Sequence, residues 1–405
     1  MSKFKKFLPI IILIVVAFAI YAFNLQNPLF WDDDDLIKGN VFVHDFSYLK
    51  EIFTRDILSG FGLNSNYYRP LLLLSFAVNY VIGGIKPLGY HLVSNGFHIA
   101  NGILIFLILL GVFKRRLPAF IATLLFLIHP LQTEAVTYIS GRGDPMSVFF
   151  MLLALWLFIK SETIDLLSGS TTEYLVVEPL SRPSHISKRW VWIAGALFSM
   201  VAAILSRETA VLFPALIMIF YISFLSPNHR FLESSREGFW KSLRPAFLKT
   251  SYFWAISAGY FVLRLTVLNF KNTLNFYSQA NDYTTHLSYR LYTFGHALVE
   301  YFKLVFVPVG LHMERDLPLK TSLFQWPVPL AVTILAAIIF IGIVLFRKSK
   351  NLQPRLWFFG WSWFFIALVP VSGIIPINAV MYEHWLYLPL IGFFTIAAFY
   401  LTRLF

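Results

Sequence analysis

The chain is built from long apolar runs separated by short polar links, and the runs recur along its whole length. About 20 consecutive apolar residues in an α-helix cross the roughly 30 Å hydrocarbon core of a bilayer, so this pattern predicts an all-α polytopic membrane protein. The first run extends from Phe7 and is read as an uncleaved spanning helix. A second strong run, HLVSNGFHIANGILIFLILLGVF, stops before Lys114. Further spans are predicted near Pro118 to Pro130, Met146 to Ile159, Trp190 to Leu205, Ala210 to Leu225, Ser251 to Asn269, Pro329 to Phe346, Leu356 to Pro370 and Leu386 to Leu401. The total is about ten or eleven crossings. The shorter run Leu71 to Gly84 is read as interfacial or re-entrant, which puts interfacial helices in the first outer loop.

Composition supports this class. Of 405 residues, 58% are hydrophobic and only 13% charged, and the net charge of +12 lies mainly in the links. Such links orient a membrane protein and give no sign of nucleic-acid binding. The absence of cysteine removes disulfides, thiolate catalysis and Cys-ligated metal. Lys3, Lys5 and Lys6 predict a cytoplasmic N-terminus. Lys114 to Arg116, the links Lys160 to Arg189 and Ser226 to Lys249, and Arg347 to Lys350 are assigned to the same side. Segments beginning near Glu134, Ser206, Lys271, His312 and Ser372 then fall outside. The stretch Tyr289 to Val309 is apolar enough to cross, but a crossing there would break this parity. The link Lys160 to Arg189, with its Ser, Thr and Pro residues, is the candidate flexible loop.

The outer segments hold the candidate chemistry. Four acids, Asp32 to Asp35, follow the first run in FWDDDD. Adjacent charges about 5 Å apart repel by on the order of 3 kcal/mol at an effective dielectric near 20, which favours a proton on at least one of them. A carboxylate tuned in this way suits a general base, and a pair of them could also hold Mg²⁺ or Mn²⁺. The outer segments also carry Arg69 in YYRP, Arg142 in SGRGD and Arg207 in SRE, whose guanidinium forks match a phosphate. His91, Glu134, Asp144, Glu208, Glu383 and Tyr387 are read as cavity-lining, and Asp34 and Asp35 as the acids free to hold a metal. A buried ionisable group costs roughly 2.5–3.5 kcal/mol on membrane-insertion scales, so several on one face point to a shared polar cavity.

FWDDDDLIKGN, YYRPLLLLSFAVNY, YHLVSNGFH, FLIHPLQTEAVTYISGRGD, LSRETAV and VPVSGIIPINAVMYEHWLYLP resemble, in this order, the membrane half of the transmembrane and tetratricopeptide-repeat O-mannosyltransferases and their bacterial relatives. The resemblance implies one GT-C-like helical domain over residues 1–405, without the repeats. It also implies a polyprenyl-phosphate sugar donor used on the extracytoplasmic side, and a localisation in a bacterial inner membrane. Asp32 and Asp33 match the family's acidic pair, while Arg69, Glu134, Arg142, Glu208 and Glu383 match single motif positions. Arg207 stands where lysine is common, and His384 and Trp385 replace the usual Arg-Tyr. The reaction expected is inverting transfer of a monosaccharide to a hydroxyl of a protein, glycan or lipid. Asp33 is preferred as base over Asp32, and Arg142 as the principal phosphate ligand. The rival reading is a transporter or flippase for a lipid-linked sugar, which requires charges accessible from both faces.

Overall fold

A computed structural model describes residues 3–168, 185–226, 236–270, 281–348, 352–377 and 379–404. Most of the flexible link expected between Lys160 and Arg189 lies outside these residues, as does Lys271. Among these residues fifteen α-helices run in the order α1 (Lys3–Tyr21), α2 (Leu49–Thr54), α3 (Pro70–Gly83), α4 (Pro87–Phe113), α5 (Arg116–Ile128), α6 (Thr133–Thr137), α7 (Gly143–Ser168), α8 (His185–Ser206), α9 (Phe213–Phe220), α10 (Arg236–Leu265), α11 (Asp282–Thr285), α12 (Leu287–Phe306), α13 (Val328–Lys348), α14 (Leu352–Leu368) and α15 (Pro389–Leu401). Strands are absent among the described residues, and the single β-type contact is an isolated antiparallel bridge between Glu314 and Tyr382. Helices are what an apolar chain in lipid must form, because every backbone N–H and C=O is then paired within its own segment.

The links mark helix ends by ordinary means. Pro70 and Pro87 open α3 and α4 at positions whose N–H would have no helical partner, and Gly84 closes α3 at φ +59°, a conformation that favours glycine. His129 ends α5, and its Nδ1 accepts from the Leu131 amide. The chain then turns by 55° into residues 130–137. Among the described residues, seven helical segments are long and apolar enough to cross a membrane, or eight if that bent pair is one span. The expected ten or eleven are not reached by this measure, since α15 has 13 residues, α3 has 14, and α10 is charged through its first half. The protein is an integral membrane protein.

Hydrogen bonds fix which helix ends lie together. His91, near the start of α4, meets the Asn27 carbonyl that follows α1. Arg207 after α8 reaches Asp144 at the start of α7, and Arg264 near the end of α10 donates to the Asn66 carbonyl. The links α5–α7, α8–α9 and α14–α15 therefore share one end of the bundle, as the parity of basic links requires. α12 is not among the seven segments, and it is tied to that end. Its Arg290 donates to the Gly373 carbonyl and its Tyr301 hydroxyl to the Tyr382 carbonyl, so two points 11 residues apart both touch the link between α14 and α15. Residues between α1 and α4 form a layer over the same end with their own small core of Leu36, Ile37, Val43, Ile52, Leu72 and Phe76, into which Ile139 inserts.

Candidate active site

The four acids after α1 face different surroundings. Asp33 is fully buried; its Oδ1 accepts from the Ser140 amide at 2.8 Å and from the Ser140 hydroxyl, and its Oδ2 accepts from the Phe30 amide at 3.2 Å. Burial raises its pKa above the ordinary carboxylate value, against the opposing pull of the Ser140 and Phe30 donors. Asp32 is exposed, and its amide donates to the Tyr138 hydroxyl at 3.2 Å. Asp34 is exposed and paired with Lys38 one turn on. Asp33 is thus committed inward and Asp34 outward. No three His, Cys, Asp or Glu side chains gather as metal ligands among the described residues.

The arginines separate as well. Arg142 is fully buried and donates from Nε to Ser94 Oγ at 3.2 Å, from Nη1 to Ser75 Oγ at 3.0 Å and from Nη2 to the Tyr90 carbonyl at 2.9 Å. Its guanidinium lies over the Phe76 ring at 4.7 Å. These bonds join α3 and α4 to the turn before α7, so Arg142 is a structural tie without an exposed donor for a ligand. Arg69 and Arg207 sit differently. Arg69 donates from Nε to Glu208 Oε2 at 2.8 Å, which leaves the two terminal amines of its guanidinium outside that pair. Arg207 donates from Nη1 to Asp144 Oδ2 at 2.6 Å and from Nη2 to His384 Nε2 at 3.2 Å, while its buried Nε has no partner among the described residues. Glu208 is held at its other oxygen by the Tyr68 amide.

One phenol connects these groups electrostatically. Burial raises the Tyr67 pKa; the Arg69 charge opposes this, and Glu208, Arg207 and Asp32 all contribute. Tyr382, also raised chiefly by burial, is influenced by Glu314, Asp32, Tyr67 and Glu134. Arg69 pairs with Glu208 and lies over the Tyr67 ring at 4.6 Å, while Arg207, next to Glu208 in the chain, pairs with Asp144. Glu134 accepts from His384 twice, from its amide at 2.8 Å and from Nδ1 at 2.6 Å.

Three residues expected to line the cavity are packed inside instead. His91 is buried and its Nε2–H is held by the Asn27 carbonyl. The buried Tyr387 hydroxyl bonds His98 at 2.8 Å and Asn101 at 3.0 Å, within the helix core. Glu383 is buried, ion-paired to Arg315 at 2.7 Å, and accepts from the His312 amide. Sequence reasoning passed over Tyr138 and Arg315. Tyr138 lies inside the quoted TEAVTYISGRGD stretch and could have been found there, whereas Arg315 belongs to a link without a motif.

No family model matches the chain. In sequence it is similar to the protein O-mannosyl-transferase TMTC3 of Mus musculus, 33% identical over 163 residues, covering 40% of this chain and 18% of that protein. It is also similar to the protein O-mannosyl-transferase Tmtc1 of Drosophila melanogaster, 31% identical over 219 residues, covering 53% of this chain and 22% of that protein. The chain spans about a fifth of the length of these relatives. Among solved structures, ArnT from Cupriavidus metallidurans, crystallised with undecaprenyl phosphate, has a TM-score of 0.53 at 13% identity, covering 97% of this chain and 60% of that one. The GT-C-like helical fold and the likeness to membrane O-mannosyltransferases read from the motifs are both borne out.

Proposed function

We propose that the chain is a glycosyltransferase that moves a monosaccharide from a polyprenyl-phosphate donor to an acceptor hydroxyl, at the membrane face where its polar links meet. The observation that carries this is the pair Arg69 and Arg207, held by Glu208 and Asp144 at the end of the bundle where exposed Asp32 bonds Tyr138, on an ArnT-like fold. Asp32 takes the part of base, in place of Asp33, because a base must reach the acceptor and Asp33 is buried with both oxygens engaged. Asp32 accepts the proton of the acceptor hydroxyl as its oxygen attacks the anomeric carbon. The bond from that carbon to the phosphate oxygen breaks on the opposite side, so configuration inverts and polyprenyl phosphate leaves with the electron pair.

A phosphodiester leaving group needs charge stabilisation more than a proton. Arg69 and Arg207 supply it, the first through its terminal amines and the second through the field of a guanidinium only one carboxylate of which is bonded to it. Confinement of the named charges to one end of the bundle supports transfer over translocation, which needs a path to both faces. The relatives' names make mannose the first sugar to test and a protein hydroxyl the first acceptor. The site is assigned to the extracytoplasmic face from the basic links at the other end.

The test supplies radiolabelled polyprenyl-phosphate mannose to membranes carrying the wild type or Asp32→Asn and follows label in product. A lost general base lowers the rate by about 10²–10⁴-fold. Equal rates from the two proteins overturn the mechanism. Asp34→Asn, which removes only a surface pair with Lys38, is expected to stay within about twofold of the wild type.

A further inference from the structure

His384 stands between a carboxyl group and a guanidinium, and its two nitrogens are not equivalent. Nδ1 is 2.6 Å from Glu134 Oε1, and Nε2 is 3.2 Å from Arg207 Nη2. A guanidinium has no acceptor, so Nε2 must present its lone pair and the ring proton belongs on Nδ1, where Glu134 takes it. The second Glu134 oxygen accepts from the His384 backbone amide at 2.8 Å, which fixes the carboxylate as well. The ring also stacks on Tyr382 with centroids 5.0 Å apart.

The groups around this ring come from several parts of the chain: Glu134 from α6, Asp144 from the start of α7, Arg207 from the link after α8, and Tyr382 from its own link. Asp144 Oδ2 lies 3.9 Å from Nε2 while accepting from Arg207 Nη1 at 2.6 Å. Burial lowers the His384 pKa to about 3; Asp144 opposes the shift, and Arg207 and Arg69 reinforce it. With Nε2 facing a donor-only guanidinium and Nδ1–H given to Glu134, the ring is neutral. Arg207 is thus gripped at two amines, yet only one of the two grips carries negative charge. A second carboxylate would hold the fork as firmly and would also cancel its attraction for an anion.

We propose that His384 is the positioning residue of the phosphate site, a neutral acceptor locked in one tautomer by Glu134 that aims Arg207 without neutralising it. The inference rests on the reading that this site binds a polyprenyl phosphate.

The probe is undecaprenyl phosphate, titrated into the purified full chain in detergent, with His384→Gln, His384→Ala and His384→Glu compared at matched thermal stability. A glutamine offers a carbonyl to Arg207 and an N–H to Glu134, so it should bind within about threefold of the wild type, well inside the cost of one hydrogen bond to a charged group. Alanine frees one amine of Arg207 and should weaken binding about 10–100-fold, the loss expected for such a bond. Glutamate should bind more weakly than glutamine by at least the same factor, because it adds the charge that the histidine avoids. In turnover with the mannosyl donor, the alanine loss should fall on the donor KM more than on kcat. Failure of the wild type to bind undecaprenyl phosphate refutes the functional reading and this inference with it. A binding wild type with equal affinity in His384→Ala, or with His384→Glu equal to His384→Gln, refutes the inference alone. If His384→Ala does not fold, the glutamine and glutamate comparison still decides.

Discussion

Asp32 and Asp33 are neighbours in sequence with opposite duties. Asp33 clamps the first outer segment to Ser140, and the clamp holds Asp32 beside Tyr138. Because burial raises the Asp33 pKa, the folded state binds its proton more tightly than the unfolded chain does. The unfolded carboxyl ionises first as pH rises, so this residue's contribution to stability is complete below the unfolded pKa and is lost as pH climbs through the higher folded value. Thermal melts of the wild type should therefore decline over that interval, and Asp33→Asn should flatten the decline. Arg142→Met is expected to lower stability by on the order of 3 kcal/mol through loss of its buried charged hydrogen bonds. It should leave the affinity of the surviving folded protein for undecaprenyl phosphate little changed. The sequence marked the right residue types, yet a motif arginine that ties helices and one that meets a ligand are the same letter. Only the three neutral partners of Arg142 and the open amines of Arg69 tell them apart.

At the scale of helices, α14 and α15 meet where Gly360 and Gly392 face each other, and a Cβ on either would strike the other's backbone carbonyl. Close approach of small residues is how helices pack in lipid, where no hydrophobic force drives them together. Gly392→Val should cost at least about 1–3 kcal/mol by overpacking, seen as a lower melting temperature, and should reduce transfer because α15 carries the His384 link at its start. The seven helices long and apolar enough to cross were legible from run length, whereas Ser251 to Asn269 and Leu386 to Leu401, also expected to cross, fall short. α3 and α12 were harder, because length and hydropathy do not say whether a helix crosses a bilayer or lies along it. A crossing by Tyr289 to Val309 would break the parity of the basic links, and α12 there is tied through Arg290 and Tyr301 to the link between α14 and α15. The kink after α5 was invisible in the apolar pattern, although Pro130 marked where it falls.

For the molecule as a whole, the chain's lack of cysteine makes topology directly measurable. Ser47 and Arg115 are exposed and belong to opposite ends of the bundle. In intact cells a membrane-impermeant maleimide should label Ser47→Cys, and should label Arg115→Cys only after permeabilisation. The reverse pattern would put the polar cluster in the cytoplasm. The placement of α12 has a mechanical corollary. Tyr382 is held by α12 through its carbonyl and by His384 through its ring, so any displacement of α12 would be passed, two residues later, to the imidazole.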